Sequence, residues 1–111
     1  TIVFEDDFSV DGNGSSTELP TGSVKGMRAY FCVICGVYVY CQYNISSGKG
    51  GRIAIRTATL ENPITPDAHI FVKDKDPWID IVNKNICHDE MYDRDKTWSE
   101  ESLKRLKEKM N

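Results

Sequence analysis

The sequence predicts an all-β domain that ends in one C-terminal amphipathic helix. Two segments carry the strand signal: Val37–Tyr43 is dense in β-branched and aromatic residues, and Arg52–Thr59 alternates between apolar and polar residues. A third segment, residues 98–110, has apolar residues at helical spacing. With 111 residues, 40% of them hydrophobic and 28% charged, the chain has the length and composition of one small globular domain.

The first half of the chain is expected to hold three strands. Residues 1–10 form the first strand, and residues 11–26 form a loop because they are rich in Gly, Ser, Thr, Asn and Pro. Residues 27–31 form a short strand, residues 37–43 the next one, and residues 44–51 a Gly-rich turn. Alternation along the strand at 37–43 predicts two faces, one with Val37, Val39, Cys41 and Tyr43, the other with Tyr38, Tyr40 and Gln42.

The second half is expected to continue as strands before the helix. In the strand at 52–59, Ile53 and Ile55 point inward, and residues 61–68 form a loop that contains two prolines. Residues 69–72 form another strand, and residues 77–82 a short strand or extended segment. Leu60 and Trp78 are expected to be buried.

The C-terminal helix is predicted from its start signal and its spacing. Thr97 and Glu100 have the arrangement of a capping box, with Thr97 as the N-cap. Leu103 and Leu106 then recur at helical spacing, so we expect them on the buried side. The basic residues toward the end of this helix are expected to face solvent.

The net charge and the hydropathy of the sequence indicate whether a nucleic-acid or a membrane partner is expected. The formal net charge is −3, whereas nucleic-acid-binding domains normally present a basic surface, so no nucleic-acid partner is expected. No apolar run approaches the roughly 18 residues of a membrane span, so no membrane partner is expected.

Cys32 and Cys35 form a C-x-x-C-G turn, a pattern typical of a zinc knuckle. Two thiolates at this spacing can bind one ion, and Gly36 tolerates the positive φ that such a turn requires. Zinc takes four ligands, however, and a lone C-x-x-C supplies two. A redox dithiol and a short-range disulfide or free thiols therefore remain alternatives, although Gly36 leads into a strand rather than a helix.

Four other residues are candidates for soft ligands or for a substrate contact. Cys41 lies six residues beyond Cys35, about 20 Å along an extended strand, so we expect a buried small apolar side chain there. Cys87 and His88 are adjacent in a charged segment and are expected to be exposed loop residues, with metal binding as the alternative. His69 is either a hydrogen-bonded structural residue or a substrate contact.

Three pieces of the sequence resemble the glutathione-dependent formaldehyde-activating enzyme and centromere protein V family. They are Tyr30-Phe-Cys-Val-Ile-Cys-Gly36, Thr57-Ala-Thr-Leu-Glu61, and Pro66-Asp-Ala-His-Ile-Phe-Val72 followed by Trp78. Their order and spacing agree with the family over roughly residues 28–82, with weaker support from 1–27. The resemblance implies a β-tent of twisted antiparallel sheets and a carbon–sulfur lyase that joins glutathione and formaldehyde.

The resemblance also implies zinc as cofactor and assigns residue roles. Cys32 and Cys35 correspond to the second half of the family's structural zinc site, and His69 lies in a motif near the active-site cleft. The early C-x-C and the C-x-C-x-x-C run, which supply the other ligands, do not occur in this sequence. We therefore expect a β-tent domain at residues 1–96 that lacks its N-terminal portion, and a helical appendage at 97–111.

Two functions follow as hypotheses. The first is a fragment or truncated member of the lyase family that acts on a thiol adduct of the glutathione type. The second is a non-catalytic zinc-binding scaffold or partner-binding module. Because Thr1 begins a strand without an initiator Met, we favour a separate N-terminal polypeptide that completes the zinc site. A knuckle without metal and a homodimer that shares one zinc site are the alternatives, and the thiols favour a reducing, cytoplasmic location.

Overall fold

The computed structural model describes residues 1–12, 14–22, 26–43 and 51–111. Most of the turn predicted at 44–51 therefore lies outside the described residues. The chain divides into two compact units. The sheet unit comprises Thr1–Ile64 with Met110, and the C-terminal unit comprises Thr65–Lys109 with Asn111.

The sheet unit contains five described strands in one antiparallel sheet. With the helix near the C-terminus of the chain, this sheet confirms the predicted fold class, an all-β domain that ends in a helix. The strand order is β1-β5-β4-β3-β2, so neighbours in sequence are neighbours in the sheet except at β1. The strands are β1 (Ile2–Phe4), β2 (Gly14–Leu19), β3 (Met27–Cys32), β4 (Tyr38–Tyr43) and β5 (Arg52–Ile55).

Strands β3 and β4 form at the predicted positions, but a bulge between them changes the predicted faces. Tyr30 pairs with Tyr40, whereas Phe31 pairs with Tyr38, so Val39 is the extra residue. An extra residue shifts the alternation by one. Tyr38 therefore shares a face with Cys41, and the prediction that placed it on the opposite face is wrong.

The first two segments differ from the predictions. The predicted strand at 1–10 is short: β1 ends at Phe4 and a 3₁₀ turn at Glu5–Asp7 follows. The predicted loop at 11–26 contains β2, which pairs along its whole length with β3. The residues of β2 are polar and mostly exposed, so composition alone indicates a loop, while the ladder to β3 decides the structure.

The buried residues of the sheet unit lie on both faces of the sheet. Register places Phe4, Ala29 and Cys41 on one face and Ile53 on the other, and all four are buried. Ile53 is buried as predicted. Strand β5 is shorter than predicted because a 3₁₀ turn at Thr57–Thr59 follows it, and Leu60 after that turn is half-buried.

The strand predicted at 69–72 is wrong. His69 alone forms a parallel bridge, to Cys87, and Phe71 has a left-handed conformation with φ 53°. A 3₁₀ turn at Val72–Asp74 follows immediately, and a left-handed residue cannot continue a strand.

The segment predicted as extended at 77–82 contains a turn, and Trp78 is 76% exposed. The backbone N–H of Ile79 donates to the Asp76 carbonyl over 3.0 Å, which places Trp78 inside a tight turn. A side chain at the tip of such a turn points to solvent. The prediction that Trp78 packs over the sheet is therefore wrong.

The C-terminal unit contains two helices, α1 (Arg94–Thr97) and α2 (Glu100–Met110). Thr97 ends α1, and Trp98 and Ser99 are extended, so the predicted N-cap at Thr97 is wrong. Ser99 is the N-cap of α2, where Leu106 is buried and Leu103 half-buried as predicted. Neither helix is long and apolar enough to cross a membrane, nor is any other among the described residues.

Candidate functional site

The C-x-x-C turn connects β3 to β4 and is closed by backbone hydrogen bonds. Cys32 is the last residue of β3, and its N–H donates to the Val37 carbonyl over 2.9 Å. The N–H of Gly36 donates back to the Cys32 carbonyl over 2.8 Å, and Gly36 has φ 72°. A positive φ at this position is what the sequence predicted for a knuckle.

Hydrogen-bond donors converge on the Cys32 sulfur. The backbone N–H groups of Cys35 and Ile34, and then the Cys35 thiol, lower the pKa of Cys32 because they stabilise its thiolate. Cys32 is half-buried and Cys35 is exposed, and both are free thiols. A stabilised thiolate with a second thiol three residues away fits half of a thiolate zinc site.

The described residues supply only this half. Within residues 1–12, 14–22, 26–43 and 51–111, no group of three or more His, Cys, Asp or Glu side chains could hold a metal ion. The tip of the turn is apolar and open to solvent: Ile34 is 92% exposed, and Val33 and Val37 are also exposed.

Cys41 is separate from the knuckle and is 1% exposed, which confirms the expectation of a buried small side chain. Its thiol lies beside the hydroxyls of Tyr38 and Tyr43, as their hydrogen bonds to it show. Burial is the main cause that raises the pKa of both tyrosines, and the contact with Cys41 adds to it. Sequence reasoning missed this cluster because the bulge at Val39 brings Tyr38 onto that face.

The structure brings His69 next to Cys87 in the C-terminal unit. The N–H of His69 donates to the Ile86 carbonyl, and the N–H of His88 donates to the His69 carbonyl, both over 2.8 Å. The Cys87 thiol contacts the Asn83 carbonyl at 3.5 Å. All of His69, Cys87 and His88 are half-buried, so the expectation that Cys87 and His88 are exposed is wrong. Their nearness in space follows from backbone pairing that the sequence does not reveal.

An arginine and a tyrosine of the sheet unit also lie in contact. The guanidinium carbon of Arg56 stands 5.1 Å from the centre of the Tyr38 ring. Arg56 is exposed and follows the last residue of β5, while Tyr38 is the first residue of β4. The pair was not identified from the sequence, in which the two residues are far apart.

Comparison with known proteins agrees with the motifs described above. The family model of the glutathione-dependent formaldehyde-activating enzyme matches residues 1–74, which include β1–β5, the knuckle and His69. The comparisons with curated proteins and with solved structures found no match. Since the match covers more than half of the chain, the protein belongs to the glutathione-dependent formaldehyde-activating enzyme family.

Proposed function

We propose that this chain is part of a zinc-dependent carbon–sulfur lyase that joins formaldehyde to a thiol of the glutathione type. Membership of the family supports a formaldehyde-activating, glutathione-related reaction. In this proposal Cys32 and Cys35 hold half of a structural zinc ion, and His69 faces the substrate. A bound zinc ion of the catalytic kind supplies Lewis-acid activation of the reacting thiol or aldehyde.

The observation that carries the zinc proposal is the convergence of donors on Cys32. Backbone N–H groups aimed at a sulfur favour the thiolate, which is the form that binds metal. The two remaining structural ligands are proposed to come from a C-x-C segment, which these 111 residues do not contain. A separate N-terminal polypeptide is the proposed source, with a homodimer that brings two knuckles together as the alternative.

The test is metal content, measured on the full chain with and without a second polypeptide that carries the family's C-x-C segment. We expect tightly bound zinc in the mixture, and its loss in Cys32→Ser and in Cys35→Ser. Cys87→Ser is the matched control, since it removes a half-buried thiol outside the knuckle. If Cys32→Ser retains as much zinc as the unaltered chain, the knuckle is not a zinc site.

A non-catalytic zinc-binding scaffold is the second candidate. It is favoured by the sequence itself, which lacks the C-x-C-x-x-C run that supplies the catalytic ligands in the family. The two candidates differ in one measurement: formation of the formaldehyde adduct of glutathione by the zinc-loaded mixture. Zinc binding without adduct formation supports the scaffold, and adduct formation that requires Cys32 supports the lyase.

The remaining assignments belong to the same proposal. We assign residues 1–96 to the β-tent domain and residues 97–111 to its helical appendage. A reducing location such as the cytoplasm suits thiols that must bind metal rather than oxidise. The small-molecule partner is a thiol adduct of the glutathione type.

A further inference from the structure

The backbone of Arg56 is fixed although its side chain is exposed. Its N–H donates to the Val39 carbonyl over 2.8 Å, at the bulge of β4. Its guanidinium lies over the Tyr38 ring at 5.1 Å. An arginine that rests on an aromatic face is held in position while the N–H donors at its edge can bind a ligand.

The ring under Arg56 is itself held in place. Tyr38 is half-buried, pairs with Phe31 across the sheet, and places its hydroxyl beside the buried thiol of Cys41. The strand pairing fixes the backbone of Tyr38, and the contact with Cys41 limits the movement of its ring. Arg56 is therefore supported by a rigid platform, which lowers the entropy that its side chain loses when it binds a ligand.

Arg56 differs from other arginines in its charge partners. Among the residues that the structure describes, Arg28 pairs with Glu18 and Arg94 pairs with Asp95, whereas no carboxylate forms an ion pair with Arg56. A positioned guanidinium without a carboxylate of the same chain can bind one from a ligand, and its planar fork matches a carboxylate in a bidentate manner.

We propose that Arg56, supported by Tyr38, binds a carboxylate of a small thiol ligand. The proposal rests on the proposed function, because a thiol of the glutathione type carries two carboxylates.

The test is the affinity of the full chain for S-methylglutathione, whose blocked sulfur cannot react, measured by titration calorimetry. We expect Arg56→Gln to weaken binding about ten- to a hundredfold, the range typical of a lost hydrogen-bonded charge pair. Tyr38→Leu should also weaken binding, because it removes the ring on which the guanidinium lies, while Tyr38→Phe keeps the ring, loses only the hydroxyl contact with Cys41, and should weaken binding less than Tyr38→Leu. Arg28→Gln is the matched control, since it removes an equal charge that is already paired with Glu18.

The dimethyl ester of S-methylglutathione provides the complementary measurement. It lacks both carboxylates, so it should bind weakly and with equal affinity to the unaltered chain and to Arg56→Gln. Equal affinity of the unaltered chain and Arg56→Gln for the free acid overturns this inference and leaves the proposed function standing. An equal loss in Arg28→Gln also overturns it, because the effect is then one of net charge. If the unaltered chain does not bind S-methylglutathione, both the inference and the proposed substrate class fail.

Discussion

Gly36 determines whether the knuckle can close between β3 and β4. Its φ of 72° lies in the left-handed region, and a Cβ added at this position meets no atom within 4 Å. The cost of a side chain there is therefore one of backbone conformation and not of steric contact.

Gly36→Ala should destabilise the chain by about 1–2 kcal/mol, the cost of a left-handed conformation for an ordinary residue. Gly36→Asn should cost less, because Asn adopts this conformation more readily. Urea unfolding provides the measurement. Gly22→Ala is the control, since that glycine is equally open but lacks a positive φ. Equal stability of Gly36→Ala and Gly22→Ala would contradict the left-handed conformation of Gly36.

Single residues were predictable from the sequence where their role depends on near neighbours. The knuckle is such a case, because Cys32, Cys35 and Gly36 form it within five residues, and its geometry agrees with the prediction. The contact of Arg56 with Tyr38 was not predictable, since it depends on the bulge between β3 and β4, which brings Tyr38 onto the face of Cys41. The exposure of Trp78 was missed for a similar reason: a tight turn, rather than its hydrophobicity, decides where it points.

At the scale of elements, the strands with an apolar pattern were predicted and the others were not. β4 carries a dense aromatic and β-branched signal and forms where expected. β2 is polar and forms because β3 offers a full ladder of backbone partners, with an ion pair between Glu18 and Arg28 across the two strands. Conversely, the apolar segment at 69–72 is not a strand, because the left-handed Phe71 interrupts it.

The N-cap of α2 is Ser99 and not the predicted Thr97. The Ser99 hydroxyl accepts a hydrogen bond from the Ser102 N–H at 3.2 Å, which satisfies a donor in the first turn. The Thr97 hydroxyl instead donates to the Asp93 carbonyl at 2.8 Å, inside the preceding short helix. The capping-box pattern of the sequence fits Thr97, but the backbone is extended at Trp98, so the helix begins only after Ser99.

Ser99→Ala should therefore lower the free energy of unfolding by about 0.5–2 kcal/mol, the usual cost of a lost N-cap. Ser99→Asp should retain most of the stability, because its carboxylate accepts the same hydrogen bond and lies at the positive end of the helix. Thermal unfolding followed by circular dichroism provides the measurement. Thr97→Ala is the comparison, and a larger loss there than in Ser99→Ala would restore Thr97 as the cap.

At the scale of the whole molecule, few side chains are fully buried. The buried apolar residues of the described ranges are Phe4, Ala29, Cys41, Ile53 and Leu106. Stability then depends strongly on each of them, because a domain has a net stability of only about 5–15 kcal/mol.

Ile53→Ala should destabilise the sheet unit by about 2–5 kcal/mol, since it removes three buried carbon atoms at the centre of β5 and leaves a cavity. That loss is a large fraction of the about 5–15 kcal/mol by which a domain is stable, so a clearly lower urea midpoint is expected. Ile2→Ala, on the neighbouring strand, is the matched control because Ile2 is half-exposed. Urea titrations of both variants test this, and a similar loss in the two would show that Ile53 is not part of a packed core.

The tyrosines of β4 predict how stability depends on alkaline pH. Burial raises the phenol pKa of Tyr38, Tyr40 and Tyr43 in the folded chain above the value of about 10 found in unfolded chains. The folded state therefore keeps protons that the unfolded state releases, so the stabilisation is complete below pH 10 and is lost as the pH rises further.

The melting temperature should accordingly fall as the pH rises above about 10, and Tyr38→Phe should make that fall less steep because it removes one of the raised groups. Absorbance at 295 nm, which reports phenolate, should show these three tyrosines ionising later in the folded chain than in urea. Cys41→Ala should bring the titration of Tyr38 partway back toward that of the unfolded chain, because burial remains while the thiol contact is lost. If all tyrosines of the folded chain ionised together near pH 10, the burial of Tyr38, Tyr40 and Tyr43 would be contradicted.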